Sequence, residues 1–110
     1  MQPHELRMLI IRGVNVFPSQ VEELLLRVSG LSPHYQLELT RQGHLDAMEV
    51  HVECLPQSAP MADLRQRAAG ELHAFIKNYI GISVVVSVHD PGSVERSAGK
   101  AKRVVDRRGQ

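Results

Sequence analysis

The chain has no tryptophan and only four other aromatic residues, two Phe and two Tyr, among its 110 positions. That scarcity argues against a nucleic-acid surface, because single-stranded bases are held by rings presented on neighbouring strands. Cys54 is the only cysteine, which excludes an internal disulfide and any zinc motif built on cysteine pairs. Its place in an apolar alternation marks it as a core residue, and the lack of disulfides points to a reducing compartment, the cytoplasm. No apolar run approaches the roughly 18 residues of a membrane span. The opening MQPHELRMLIIRG carries too short an apolar run for a secretory leader, and an acidic residue precedes it. Nor is there a charge of one sign: 13 Lys+Arg stand against 12 Asp+Glu, for a net +1.

The near-neutral total hides a polarised chain. Residues 1–95 hold seven basic and eleven acidic groups, whereas residues 96–110 hold six basic groups and Asp106 alone on the acidic side. Length and an apolar content of 43% fit a single soluble domain over 1–110 with its own core.

Periodicity gives the elements. The unbroken Met8-Leu9-Ile10-Ile11 run reads as a strand covered on both faces. Pro18 suits the first position of a helix over 18–29, where Val21, Leu24, Leu25 and Val28 form one apolar stripe and Gly30 is the stop. Tyr35, Leu37 and Leu39 alternate with polar residues, as do Met48, Val50, Val52 and Cys54, so these segments form a hairpin turning at 41–44. A second helix over 61–80 buries Leu64, Ala68, Leu72, Phe75, Ile76 and Tyr79, and Ile82, Val84, Val86 and Val88 mark a last main strand. The order β-α-β-β-α-β predicts an α+β, ferredoxin-like sandwich. It has a four-stranded, mostly antiparallel sheet, two helices on one face and the first strand at the centre, with a basic C-terminal extension.

Such a fold hosts many activities, so function has to come from sites. The six histidines are scattered without metal-ligand spacing, which gives solvated or hydrogen-bonded roles and no metal. There is no Ser-His-Asp or Cys-His constellation, and Arg12-Gly13-Val14-Asn15 lacks the spacing of a phosphate loop. Two stretches exceed what a core requires. One is Ile11–Ser19, which by itself is a strand-to-helix connection with a permissive glycine. The other is RSAGKAKRVVDRR, residues 96–108, in which glycine punctuation and the apolar Val104-Val105 interrupt what would otherwise be a solvated charge run.

Together MLIIRGVNVFPSQVEELL (8–25), HYQLELTRQGHLDAMEVHVE (34–53) and DPGSVERSAGKAKRVVDRR (90–108) resemble the C-terminal lid domain of the adenylate-forming (AMP-binding) acyl-CoA ligases, of the aryl-acid, phenylacetate type. The resemblance spans nearly the whole chain from Met8 onward. It implies an N-terminal domain, absent here, that binds ATP with Mg and the carboxylic acid, and that partners this chain in cis or in trans. It also implies a lid that closes in two orientations. In one, the lysine of a terminal Ser/Thr-x-Gly-Lys word enters the active site for acyl-adenylate formation. Ser97-Ala98-Gly99-Lys100 matches that word, so Lys100 takes the role, with Ser97 and Gly99 supporting it. In the other, Arg12, Gly13, Val14 and Asn15 lie beside the pantetheine tunnel of CoA. The family's Gly-Arg-x-Asp hinge word has no counterpart in Pro3–Arg7.

Alone, the chain is expected to be inactive and to bind no cofactor. Its uncovered docking surface also allows it to pair with itself as a homodimer. Lys102 and Arg103 face either the larger domain or solvent, while Arg107 and Arg108 read as a solvated end. The competing reading is a non-catalytic module, either an ACT-like sensor of small molecules or an interaction domain, and it leaves the basic tail without a role.

Overall fold

The computed structural model of the chain describes residues 8–58, 60–94 and 103–108. It opens with a tight hairpin of β1 (Leu9–Ile11) and β2 (Val14–Val16), antiparallel, with Ile11 opposite Val14. Arg12 and Gly13 join them at φ 51° and 78°. Two consecutive positive φ values between paired strands are the pattern of a type I′ turn, whose twist suits a two-residue hairpin. The Ile11–Ser19 stretch is thus more than a connection. The MLII run is covered on one face only, since Leu9 and Ile11 are buried while Met8 and Ile10 face outward.

Helix α1 (Pro18–Leu25) follows, with Pro18 at its first position as expected. The Gln20 side-chain oxygen accepts the Phe17 N–H at 2.9 Å. The helix is shorter than the predicted 18–29. Past Leu25 the backbone tightens, with the N–H groups of Arg27 and Val28 bonding three residues back. Val28 is nevertheless buried.

The main sheet comprises β3 (Leu31–Gln42), β4 (Leu45–Cys54), β5 (Val85–His89) and β6 (Val104–Asp106), in the order β5-β4-β3-β6. Between β4 and β5 lie a 3-10 turn (Pro56–Ser58) and helix α2 (Ala62–Tyr79). The α+β class, with two helices over a four-stranded sheet, holds. The expected mostly antiparallel, ferredoxin-like pairing does not: the sheet is mixed. Only β3–β4 is antiparallel, while β5 runs parallel to β4 and β6 parallel to β3. The type I′ turn pairs the first strand locally, so β1 never reaches the sheet centre. The crossover through α2 instead sets β5 directly beside β4, the connection a parallel pair requires. At the other edge, part of the expected basic extension is itself a strand, β6.

Register sorts the side chains by face. Tyr35, Leu37 and Leu39 of β3 and Met48, Val50 and Val52 of β4 meet Val21, Leu24 and Leu25 of α1 and Ala68, Leu72 and Ile76 of α2 in one core, joined by Leu9, Ile11 and Val16 of the hairpin. Cys54 is buried, as its alternation implied. Tyr79, expected on the buried side, is 65% exposed at the last residue of α2, edge-on to Phe75. Leu25 and Ile76 are fully buried, one from each helix. Truncating either to alanine should destabilise the domain by about 2–5 kcal/mol, read as a shift in the denaturant midpoint; a loss below about 0.5 kcal/mol would mean the helix phases are misassigned.

Candidate functional site

Two stretches stand out in the sequence, Ile11–Ser19 and residues 96–108, and the described end of the second is tied to the strand that leads into the first. Arg108, whose guanidinium donates to the Ile10 carbonyl at 2.7 Å, joins the C-terminal end to β1. The same side chain pairs with Asp46 at 3.0 Å and Asp106 at 2.9 Å, and these carboxylates hold its proton more firmly than usual. Arg107 donates to Glu38 at 2.8 Å, and its backbone N–H donates to the Leu39 carbonyl, continuing the β6 ladder. The two arginines are therefore structural fasteners, which corrects the reading of them as a solvated end.

At the tip of the β1–β2 hairpin, Arg12, Gly13 and Asn15 are exposed and Val14 is half-buried against the core. The Arg12 guanidinium donates to the Ser83 carbonyl and ties the tip to the segment entering β5. A Cβ built on Gly13 would meet nothing within 4 Å, so within this domain the demand for glycine is its φ of 78°.

Ser97, Gly99, Lys100 and Lys102 lie outside the described residues, which end at Val94 before them and resume at Arg103 after them. Before them, Asp90–Ser93 closes a turn through a bond from the Ser93 N–H to the Asp90 carbonyl, at 3.1 Å. Glu53 on β4, 1% exposed, reaches this turn. One carboxylate oxygen accepts the Gly92 N–H and the other the Val94 N–H, each at 2.8 Å.

After them, Arg103 turns inward and meets its own domain. Its guanidinium pairs with Glu22 of α1 at 2.6 Å and lies 4.9 Å from the centre of the Tyr35 ring. The Tyr35 hydroxyl donates to the same Glu22 carboxylate at 3.2 Å. Burial, and then the neighbouring Glu22 charge, push the Tyr35 pKa up to about 12. Val104 then pairs with Leu37. Neither Glu53 nor the Glu22–Tyr35–Arg103 group was picked out from the sequence. A glutamate in the polar phase of a strand shows no sign that a turn some 40 residues later will bury it.

The sheet face away from the helices carries a polar belt that is likewise invisible in the linear spacing. His51 Nδ1 lies 2.9 Å from His89 Nε2, and His51 Nε2 lies 3.0 Å from Glu38. The Glu49 carboxylate accepts the Ser87 hydroxyl. The bond from His51, followed by that from Arg107, lowers the Glu38 pKa. Glu38, Glu49 and His51 stand close enough together to hold a cation, yet each already has a protein partner.

The Tyr35 shift has a consequence for stability. A raised phenol pKa means the folded state keeps its proton after the unfolded chain has lost it. Stability from this group is therefore full below about pH 10 and is lost as the pH climbs from there toward about 12. Tyr35→Phe should flatten that alkaline loss in denaturant midpoints measured from neutral pH upward. An unchanged alkaline slope would rule out Tyr35 as its source.

Comparison with known proteins agrees with this architecture. The chain is 50% identical over 102 residues to phenylacetate-coenzyme A ligase of Escherichia coli (strain K12), covering 92% of this chain and 23% of that protein. Among solved structures it is similar to a domain of phenylacetate-coenzyme A ligase from Bacteroides vulgatus ATCC 8482, with a TM-score of 0.82, 30% identity and 92% of each chain covered. It is also similar to part of 2-hydroxyisobutyryl-CoA ligase in complex with 2-HIB-AMP and CoA in the thioesterification state. There the TM-score is 0.82 at 28% identity, over 92% of this chain and 21% of that one. The chain thus spans about a quarter of the length of the full-length ligases it matches. Residues 13–108 match the pattern of one family, leaving out only the first twelve residues and the last two, and the chain belongs to the AMP-binding enzyme C-terminal domain family.

Proposed function

We propose that this chain is the lid of an aryl-acid, phenylacetate-type CoA ligase, closing over an N-terminal domain that binds ATP with Mg and the acid. The observation that carries the reading is the 50% identity to a phenylacetate-coenzyme A ligase across 92% of the chain. The relative solved with both an acyl-adenylate and CoA in its thioesterification state supports a reaction in two halves.

In the first half a carboxylate attacks the α-phosphate of ATP and expels pyrophosphate. Two anions approach each other, and negative charge builds on the phosphoryl oxygens. A fixed cation offsets that charge in the transition state, and Lys100 is the residue assigned to it. Gly99 before it leaves the backbone free to approach closely, and Ser97 completes the matching word. In the second half the CoA thiolate attacks the acyl carbonyl and expels AMP. For this step the lid turns its Arg12-Gly13-Val14-Asn15 tip toward the pantetheine path. The exposed type I′ turn, with open space around Gly13, suits a surface that slides against another domain or a thin ligand.

By itself the chain neither holds ATP nor turns over an acid. One open groove among the described residues is lined by Met8, Ile10, Arg41, Asp46, Asp106 and Arg108, and both of its arginines are already paired with carboxylates. Micromolar ATP binding to the isolated chain in calorimetry would defeat the lid reading.

The two faces separate in a two-domain enzyme carrying this lid. Lys100→Ala should slow acyl-adenylate formation about a hundredfold or more, followed by pyrophosphate exchange, while CoA capture from supplied acyl-adenylate persists. Lys102→Ala, at a lysine to which no part in the chemistry is assigned, should change adenylation little. Gly13→Val should give the opposite pattern, with adenylation retained and thioester formation slowed. Parent-like rates in all three variants would sink the assignment.

A further inference from the structure

We propose that Glu38, Glu49 and His51 bind a divalent transition-metal ion of the zinc class on the sheet face away from the helices, with His89, Ser87 and Arg107 aiming them. The site stands apart from the lid chemistry and is tested without it. Glu38 lies directly opposite Glu49 in the β3–β4 register, and His51 follows two residues after Glu49, on the same face. Like charges directly opposite each other weaken a sheet. These strands therefore keep two carboxylates together where a cation between them relieves the repulsion.

The inner atoms converge. His51 Nε2 lies 3.0 Å from the Glu38 Oε1 and 3.8 Å from the Glu49 Oε1. One ligand atom from each of the three residues lies within 4.8 Å of the others. Atoms bound to zinc at about 2.0–2.1 Å stand about 3.4 Å apart in a tetrahedron. The two separations from His51 bracket that value, so small rotations of the glutamate side chains close the set around an ion.

The partners these residues already have hold their far sides. Arg107 Nε donates to the Glu38 Oε2 at 2.8 Å, and the Ser87 hydroxyl donates to the Glu49 Oε2. His51 Nδ1 meets His89 Nε2 at 2.9 Å. Metal centres are built this way: outer hydrogen bonds fix the orientation of each ligand and the tautomer of its imidazole. An ion on His51 Nε2 takes the place of the proton that faces Glu38. The remaining ring proton then sits on Nδ1, with His89 Nε2 as its acceptor.

The donor set narrows the ion. One imidazole and two carboxylates suit zinc and its first-row neighbours, whereas calcium and magnesium favour oxygen ligands throughout. Two carboxylates match the ion's double charge, and three protein ligands leave the fourth position of a tetrahedron to water. Side-chain exposures of 22% for His51, 26% for Glu38 and 36% for Glu49 leave a path from solvent. The ligands lie on β3 and β4, His89 and Ser87 on β5, and Arg107 directly after β6, so a bound ion fastens all four strands. Linear spacing conceals the set, because register between two strands brings its ligands together.

The test is calorimetric titration of zinc into the full chain after chelator treatment, with the melting temperature followed in parallel. The parent should take up a single ion per chain, and its melting temperature should rise by about 10 °C at a hundredfold excess over Kd. Glu49→Gln and His51→Gln, which remove ligands, should each weaken binding about a hundredfold or more. His89→Phe removes only the outer acceptor and should weaken it about ten- to a hundredfold. His44→Gln, at an exposed histidine in the β3–β4 turn, should match the parent. Magnesium should give no saturable heat at the same concentrations. Glu49→Gln also separates loss of a ligand from loss of the fold: it relieves the like-charge pair, so its melting temperature without metal should not fall. If His51→Gln does not fold, Glu49→Gln decides on the same terms. No uptake of zinc by the parent would overturn the site. So would parent-like binding by Glu49→Gln and His51→Gln, which would place the ion on other histidines, or magnesium binding as tightly as zinc. Parent-like binding by His89→Phe would overturn the aiming role of His89. None of these outcomes bears on the half-reactions that test the lid reading.

Discussion

The antiparallel pairing of β3 with β4 is the constraint on which the rest of the domain is assembled. It runs from Gln42 opposite Leu45 back to Leu31 opposite Cys54, with an irregularity between Leu31 and Tyr35. Every other element of the main sheet attaches to one of these two strands: β5 to β4 and β6 to β3. The pairing aligns Leu37 with Val50 and Leu39 with Met48 on the face that receives both helices. A slip of one residue would turn that apolar layer to solvent and bring Glu38 and Glu49 into the core.

The β1–β2 hairpin shows how a local turn can override a global pattern. Four apolar residues in a row favoured a central strand, and a central first strand made a ferredoxin-like sheet the natural assembly. Arg12 and Gly13 both adopt positive φ, and the chain doubles back after three residues. Burial of Leu9, Ile11 and Val16 then comes from capping the core. The same turn leaves Arg12, Gly13 and Asn15 exposed at its tip.

Charge is used mainly for fastening. The late basic stretch, read as an extension, supplies β6 as an edge strand, and its arginines reach Glu22, Glu38 and Asp46 on three different elements. These pairs are partly exposed and individually weak. The exception is Glu53, whose carboxylate is buried against backbone N–H groups and ties β4 to the turn after β5.

Much of this was legible in the linear order of residues. Side-chain periods of 3.6 and 2 located both helices and the β3–β4 hairpin, because those periods are properties of a single segment meeting one core. The alternation around Cys54 and the apolar Val104-Val105 pair identified buried and anchored positions for the same reason. The words carrying Gly13 and Lys100 took on a role only through the resemblance to a known family, since their residue types and spacing alone read as a permissive connection and a charge run. Strand order was decided only in three dimensions, because a period shows that a strand has a buried face and not which strand lies beside it. The grip of Glu53 on residues 92 and 94, the Glu22–Tyr35–Arg103 group and the His51–His89 contact follow from that order. Each joins residues 38 or more positions apart, or elements that register alone brings into contact. A polar side chain in the outward phase of a strand looks the same in sequence whether water or a distant backbone N–H is its partner, and only the tertiary fold makes that choice.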